Sequence, residues 1–146
     1  MTGSSQKSVE TLNELLRGEI SAVETYRQAM EKLNQSPVRV QLQDCHGSHE
    51  ERIPKLRQQI TRLGGVPVDH SGPWGSFARL VEGGAKLFGE RAAIAAIEEG
   101  EDHGLKLYRE DLAKLDAGSR QWIETDLLPA QQRTHDAISA LKHSMH

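Results

Sequence analysis

Two glutamates lie at positions where a helical bundle would normally place apolar residues. Glu19 lies between Leu16 and Val23 in a series of residues spaced three and four apart, and Glu101 repeats it 82 residues later. A carboxylate in an apolar core is costly unless it is paired, protonated or bound to a metal ion. Both glutamates are therefore candidates for a metal site or for a buried polar network.

Histidines on the neighbouring predicted helices lie at similar heights. Counted from a turn at residues 35–36, Glu19 lies about 16 residues before and His49 about 14 after, an axial offset of roughly 3 to 5 Å. Counted from a turn near residue 117, Glu101 lies about 16 residues before and His135 about 18 after. His46 lies one turn from His49 on the same face. Polar groups from four helices are therefore expected to meet in one layer near the middle of the bundle.

Carboxylate oxygen and imidazole nitrogen atoms that converge in this way are typical metal ligands. They suit iron, manganese or zinc, and helical bundles build such sites between facing helices. Tyr26 and Tyr108 each follow a glutamate by seven residues, so their hydroxyl groups are expected to hold a ligand carboxylate in place. Gln132 is a further candidate for that role. Glu98 is a bridging or alternative ligand, although an exposed or salt-bridged state is commoner for such a residue. The predicted metal ligands are Glu19, His46, His49, Glu98, Glu101 and His135.

The same residues also fit a layer that contains no metal. Glu19, Glu101 and the histidines would then form a fully satisfied hydrogen-bond network that fixes the register of the helices. This alternative predicts that His49→Leu is nearly neutral or stabilising, because apolar packing can often replace a buried polar network. Both interpretations stay open. No catalytic residue and no organic cofactor is assigned, so enzymatic activity is left open as well.

An internal repeat places these residues on equivalent helices. Three dipeptides recur 82 residues later in an ungapped window of sixteen residues: Gly18-Glu19, Tyr26-Arg27 and Lys32-Leu33 match Gly100-Glu101, Tyr108-Arg109 and Lys114-Leu115. Self-similarity of this extent indicates two halves that fold alike and face one another.

The spacing of apolar residues predicts an all-α fold in a single domain over residues 1–146. Ser8 and Ser119 are the expected N-caps of the first and fourth helices. Four helices are expected at about 9–34, 38–63, 90–115 and 119–143.

The long connection between the second and third helices determines the predicted topology. A crossover over residues 64–89 is expected to contain one short helix, with Phe77, Leu80, Val81, Leu87 and Phe88 on its apolar face. A link of this length lets the third helix start parallel to the second, which gives a ferritin-like four-helix bundle of two antiparallel hairpins. Pro129 interrupts the fourth helix, so the inward face of that helix is left open.

Composition excludes several classes of partner. The chain has 146 residues, 27% of them charged, and a formal net charge of −3. That balance does not fit a nucleic-acid or anionic-membrane partner, which would require a concentrated basic face. No apolar run approaches the ~18 residues of a spanning helix, and the amino-terminal residues lack a signal-peptide core. The single cysteine, Cys45, fits a reducing compartment, so a cytoplasmic protein is expected, and a homodimer would suit so small a bundle.

Several stretches of the chain resemble the ferritin-like superfamily. They are LNELLRGEISAVETYRQAMEKL, WGSFARLVEGGAKLFGERAAIAAIEEGEDHGLKLY and LLPAQQRTHD. Within that superfamily the chain is most similar to an uncharacterised bacterial family of small four-helix-bundle proteins. The resemblance implies the fold directly and an activity much less directly.

Metal-binding ferritin-like proteins carry one glutamate on the first helix and Glu-x-x-His on the second, and then repeat both. Glu19 and Glu101 match the single glutamates, and His49 and His135 match the histidines. His46 and Gln132 stand where the motifs have glutamate, so the bridging carboxylates of oxygen-activating di-iron chemistry are missing. One interpretation that stays open is a single, nitrogen-rich metal site, used in metal or oxidative-stress handling. The alternative is a non-catalytic helical domain with a metal-free polar layer, acting through oligomerisation or a partner protein.

Overall fold

The structure, a computed structural model, describes residues 3–34, 36–72, 79, 83 and 89–145. Across these residues the fold is all-α and contains no strand. The α-helices are α1 (Gly3–Lys32), α2 (Arg39–Arg62), α3 (Glu90–Asp111), α4 (Ala117–Trp122) and α5 (Leu128–Ser144). A 3-10 turn (Leu112–Lys114) follows α3, and a π-helical segment (Ile123–Leu127) joins α4 to α5 into one continuous fourth helix.

The helices pair as two hairpins, with α1 packed on α2 and α3 packed on α5. At one end of the bundle Ser8 Oγ accepts a hydrogen bond from the Asp116 N–H at 2.7 Å. At the other end Ser36 Oγ donates to Glu90 Oε1 at 2.6 Å. The start of α1 therefore lies near the end of α3, and the end of α1 lies near the start of α3. The helices α1 and α3 thus run antiparallel, and α3 runs in the same direction as α2.

The predicted N-caps were wrong in both places. Helix α1 begins at Gly3, so Ser8 lies inside it, fully buried, where its hydroxyl serves the turn before α4. The fourth helix begins at Ala117, and Asp116 is its cap: the Asp116 Oδ2 atom accepts from the Ser119 N–H at 3.1 Å. An aspartate preceding a helix is as good a cap as serine, and here the aspartate is three residues earlier.

The connection after α2 leaves the helix through Gly64, whose φ of +84° is readily adopted by glycine. Its first residues lie along α1, because Asn13 accepts from the Val68 N–H at 2.9 Å and donates to the Val66 carbonyl at 3.1 Å. The short helix predicted within 64–89, with Phe77, Leu80, Val81, Leu87 and Phe88, falls outside the described residues.

The buried apolar residues form two clusters, one toward each end of the bundle. One consists of Val9, Leu12, Leu15, Leu16, Leu56, Ile60, Tyr108, Leu115, Ile123 and Leu127. The other consists of Tyr26, Ala29, Leu42, Cys45, Ala93, Ile94, Ile97, Ile138 and Leu141. Buried polar residues lie between them. In the stretches 3–34, 36–72 and 89–145, no helix is long and apolar enough to cross a lipid bilayer.

Candidate functional site

Four ionisable side chains from α1, α2 and α3 meet in the middle of the bundle, and we call Glu19, His49, Arg52 and Glu101 the ionic layer. None of these side chains is more than 4% exposed. The His49 imidazole lies between the two carboxylates, with Nδ1 2.6 Å from Glu19 Oε2 and Nε2 2.7 Å from Glu101 Oε1. Arg52 Nη1 donates to Glu19 Oε1 at 3.2 Å. The carboxylates therefore face cationic side chains of α2 rather than one another.

Two tyrosines complete the contacts between α1 and α3. The Tyr26 hydroxyl donates to Glu101 Oε1 at 2.6 Å, and the Tyr108 hydroxyl donates to Glu19 Oε1 at 2.7 Å. Each tyrosine thus serves the glutamate of the opposite helix rather than its own, because the two helices are antiparallel. The Tyr26 ring also stacks on the His49 imidazole, with ring centroids 5.3 Å apart.

The fourth helix contributes neutral polar groups to the same layer. Gln131 Nε2 and Thr134 Oγ1 both donate to Glu101 Oε2 at 2.9 Å. Arg52 Nη2 donates to the Ala130 carbonyl at 3.0 Å and to Thr134 Oγ1 at 3.1 Å, and Arg52 Nη1 donates to Gln131 Oε1. Every oxygen of both glutamates therefore accepts at least one hydrogen bond from a protein group.

The pKa values in the layer favour the ionised form of each group. Burial alone would raise the pKa of Glu19, but the charge of Arg52 and then that of His49 lower it to about 2. Burial opposes the charge on His49, yet Glu19 and Glu101 raise the pKa of His49 to about 9. Burial also raises the pKa of Glu101, but the charge of His49 lowers it below its usual value. Burial lowers the pKa of Arg52, but the charge of Glu19 raises it. At neutral pH two negative and two positive charges cancel.

Of the predicted ligands, Glu19, His49 and Glu101 come together, and His46 and Glu98 do not join them. His46 is partly exposed, and its Nδ1 lies 3.2 Å from Glu50 Oε1 on the same helix. Glu98 accepts from Lys142 Nζ at 2.9 Å. The inward line of α2 runs through Cys45 and His49 instead of His46, since both are buried.

His135 and Gln132 also lie away from the ionic layer. His135 Nε2 lies 2.5 Å from Asp102 Oδ1 and Nδ1 lies 3.1 Å from Asp136 Oδ1, and both aspartates are exposed. Gln132 accepts from Arg109 at 2.7 Å and donates to Asp136 at 2.8 Å. Leu127, Gln131, Thr134, Ile138 and Leu141 are buried at steps of four, three, four and three, with Ala130 buried beside them. This series places residues 131 and 134 inward and leaves 132 and 135 at the side.

Three members of the polar layer were not identified from the sequence: Arg52, Gln131 and Thr134. Arginine, glutamine and threonine are usually exposed, so apolar periodicity does not mark them as core residues. The internal repeat contained the signal. The offset of 82 residues that relates the two glutamates also relates His49 to Gln131 and Arg52 to Thr134.

The ionic layer as arranged does not fit a metal ion. Among residues 3–34, 36–72, 79, 83 and 89–145, no group of three or more His, Cys, Asp or Glu side chains is placed to hold one. A ligating imidazole needs a nitrogen without its proton, yet both nitrogens of His49 are hydrogen-bonded to carboxylates. A divalent ion added to charges that already cancel would leave excess positive charge in a buried layer.

The other protic groups of the layer are held in unreactive forms at neutral pH. Burial, reinforced by the charge of Glu101, raises the pKa of Tyr26 well above its usual value, and burial with Glu19 does the same for Tyr108. Burial and then Glu101 raise the pKa of the Cys45 thiol to about 11, so this residue is not a thiolate nucleophile. The two hydroxyl groups and the thiol therefore keep their protons at neutral pH.

A model of the domain of unknown function DUF2383 matches residues 7–114. The chain belongs to the DUF2383 family. This agrees with the resemblance to an uncharacterised family. The DUF2383 match spans α1, α2, α3 and the 3-10 turn, and it ends before the fourth helix that carries Gln131 and Thr134. No curated protein and no solved structure matches the chain.

Proposed function

We propose that this DUF2383 member is a non-catalytic, metal-independent helical module of the ferritin-like type, whose ionic layer locks four helices in register. One observation carries the proposal. Every oxygen of Glu19 and Glu101, and both nitrogens of His49, already contact protein groups within a layer whose charges cancel. The carboxylate oxygens and imidazole nitrogens of the layer are therefore already engaged and are not left over as ligands for a metal ion.

The ferritin-like assignment is supported by topology. Two hairpins stand side by side. The helices α1 and α3, which carry Glu19 and Glu101, are antiparallel, and α2 and α3 run in the same direction across the long connection. Ferritin-like bundles with one long crossover share this arrangement and place their polar site in mid-bundle, between facing helices.

Metal analysis tests the proposal directly. The protein would be expressed in cells supplied with iron, zinc and manganese, purified without chelator, and analysed for these three elements. We expect far less than one equivalent of each, and an unfolding midpoint that changes neither with EDTA nor with added Zn²⁺ or Mn²⁺. One equivalent of bound metal that is lost in Glu19→Ala would overturn the proposal and restore the metal-binding alternative.

A module without its own chemistry acts through its surface, and we propose that this one self-associates. Small bundles often cover an open helical face with a symmetric copy. Sedimentation equilibrium over a hundredfold concentration range is the test, with twice the 16.2 kDa chain mass as the expected result. A monomer at every concentration would exclude self-association and redirect the search to a partner protein. The cytoplasmic location inferred from the single cysteine stays a prediction.

A further inference from the structure

The two hairpins contribute to the layer at identical spacings. In the first hairpin Glu19 contacts His49 and Arg52, which follow it by 30 and 33 residues. In the second hairpin Glu101 contacts Gln131 and Thr134, which also follow it by 30 and 33 residues. The layer is therefore a repeated unit of one residue from the first helix and an i,i+3 pair from the second.

This unit has the arrangement of a carboxylate-bridged two-metal centre. Such bundles use a glutamate from each of two helices and a Glu-x-x-His pair from each of the other two. Here the glutamates are present, while the two i,i+3 pairs read His49-x-x-Arg52 and Gln131-x-x-Thr134. Residue 49 contacts both glutamates and so lies at the centre of the layer.

The charges of the two kinds of layer also correspond. In a two-metal centre four carboxylates balance two divalent cations, and in this protein two carboxylates balance one imidazolium and one guanidinium. His49 lies where a cation shared by Glu19 and Glu101 would lie, with a short contact to each. Arg52 extends the positive charge toward the fourth helix.

We infer that His49 and Arg52 take the place of metal ions in a two-metal scaffold, and that exchanging these cationic side chains for ligands makes the layer bind metal. The inference deepens the proposed metal-independent function and rests on it. It also specifies the positions that matter, which are 49, 52, 131 and 134 rather than the 46/49 and 132/135 pairs that the sequence motif suggests.

The first test exchanges only the guanidinium. Arg52→His leaves two carboxylates and two imidazoles, a donor set whose charge one divalent cation balances. Titration with Co²⁺, followed by visible absorption and by equilibrium dialysis, is expected to show one equivalent bound at least 100-fold more tightly than by the wild type. Arg52→Lys is the matched control, because it keeps a cation at the same position and should gain nothing.

The second test rebuilds both pairs. The variant H49E/R52H/Q131E/T134H should bind two equivalents of Co²⁺, and if the apo form is unfolded, Co²⁺ should restore its helical circular dichroism. The control H46E/Q132E completes two Glu-x-x-His motifs in the sequence, at positions outside the layer, and should bind no more Co²⁺ than the wild type.

The outcomes separate this inference from the proposed function. A folded Arg52→His protein that binds Co²⁺ no better than the wild type and Arg52→Lys would overturn the inference and leave metal independence intact. So would H46E/Q132E binding as tightly as the four-position variant. Stoichiometric Co²⁺ binding by the wild type would instead overturn the proposed function. If the four-position variant folds neither with nor without Co²⁺, the Arg52 pair decides alone.

Discussion

Removal of the His49 imidazole tests whether the layer depends on cancelled charge. We expect His49→Leu to lower the free energy of unfolding at pH 7 by about 3 to 5 kcal/mol, because it leaves two buried carboxylates facing Arg52 alone. The sequence-based expectation of a nearly neutral change applies only when a whole polar network is replaced. Here the substitution removes only His49 and leaves Glu19 and Glu101 buried without that cationic partner.

The raised pKa of His49 gives a magnitude of the same order for the favourable charge of the imidazole. A rise from 6.5 to about 9 in the folded protein corresponds to about 3 kcal/mol, at about 1.4 kcal/mol for each pKa unit. The side chain is only 4% exposed, so solvent screens the interaction little.

Urea unfolding followed by far-ultraviolet circular dichroism is the assay. His46→Leu is the matched control: that histidine is partly exposed and pairs with an exposed glutamate, so its loss should change stability by less than about 0.5 kcal/mol. The double variant H49L/E101Q removes one negative charge together with the positive one and should be more stable than H49L. The charge-balance argument fails if H49L lies within about 1 kcal/mol of the wild type, or if H49L/E101Q is the less stable of the two.

Three further predictions concern single residues. Because folding raises the pKa of His49 from 6.5 to about 9, its contribution is complete below pH 6.5 and is lost by pH 9, so wild-type stability should fall by up to about 1.4 kcal/mol per pH unit in that window and H49L should lack the slope. Gly65→Ala should cost about 1 to 3 kcal/mol in urea unfolding, since its Cβ would lie 2.5 Å from Val9 Cγ1; Gly47→Ala, which meets no atom within 4 Å, should gain up to about 1 kcal/mol. Tyr108→Phe removes a donor to a buried carboxylate and should lower the thermal midpoint and cost about 1.5 to 3 kcal/mol.

The helices and the central glutamates were predictable because both leave a local signal. Apolar residues at steps of three and four marked the helices, and Glu19 and Glu101 stood out as charges within those series. His49, Tyr26 and Tyr108 followed from height and spacing along the helices. The start of the first helix was placed too late, since Ser8 lies inside a helix that begins at Gly3.

Arg52 was not predictable from local pattern because its partners lie far away in the sequence. Only 1% of the residue is exposed, and its guanidinium contacts groups 33, 78 and 82 residues distant. The adjacent Ile53 continues the apolar series of α2 better than Arg52 does. Apolar spacing alone therefore predicts residue 53, rather than residue 52, as the inward position. The 82-residue offset relates the first helices of the two hairpins. When it is extended to their second helices, it aligns residues 131 and 134 with residues 49 and 52 and so identifies them as inward positions.

The two hairpins bring opposite net charges to the buried layer. The first hairpin brings one carboxylate and two cations, a charge of +1, whereas the second brings one carboxylate and two neutral side chains, a charge of −1. Pairing of two first hairpins would bury +2 and pairing of two second hairpins would bury −2, each at a cost of several kcal/mol. Only a first hairpin against a second gives a neutral layer, within one chain or exchanged between two. Two nearly equivalent hairpins with purely apolar faces would lack that discrimination, so the buried charges select the correct partner even where apolar packing would be more stable.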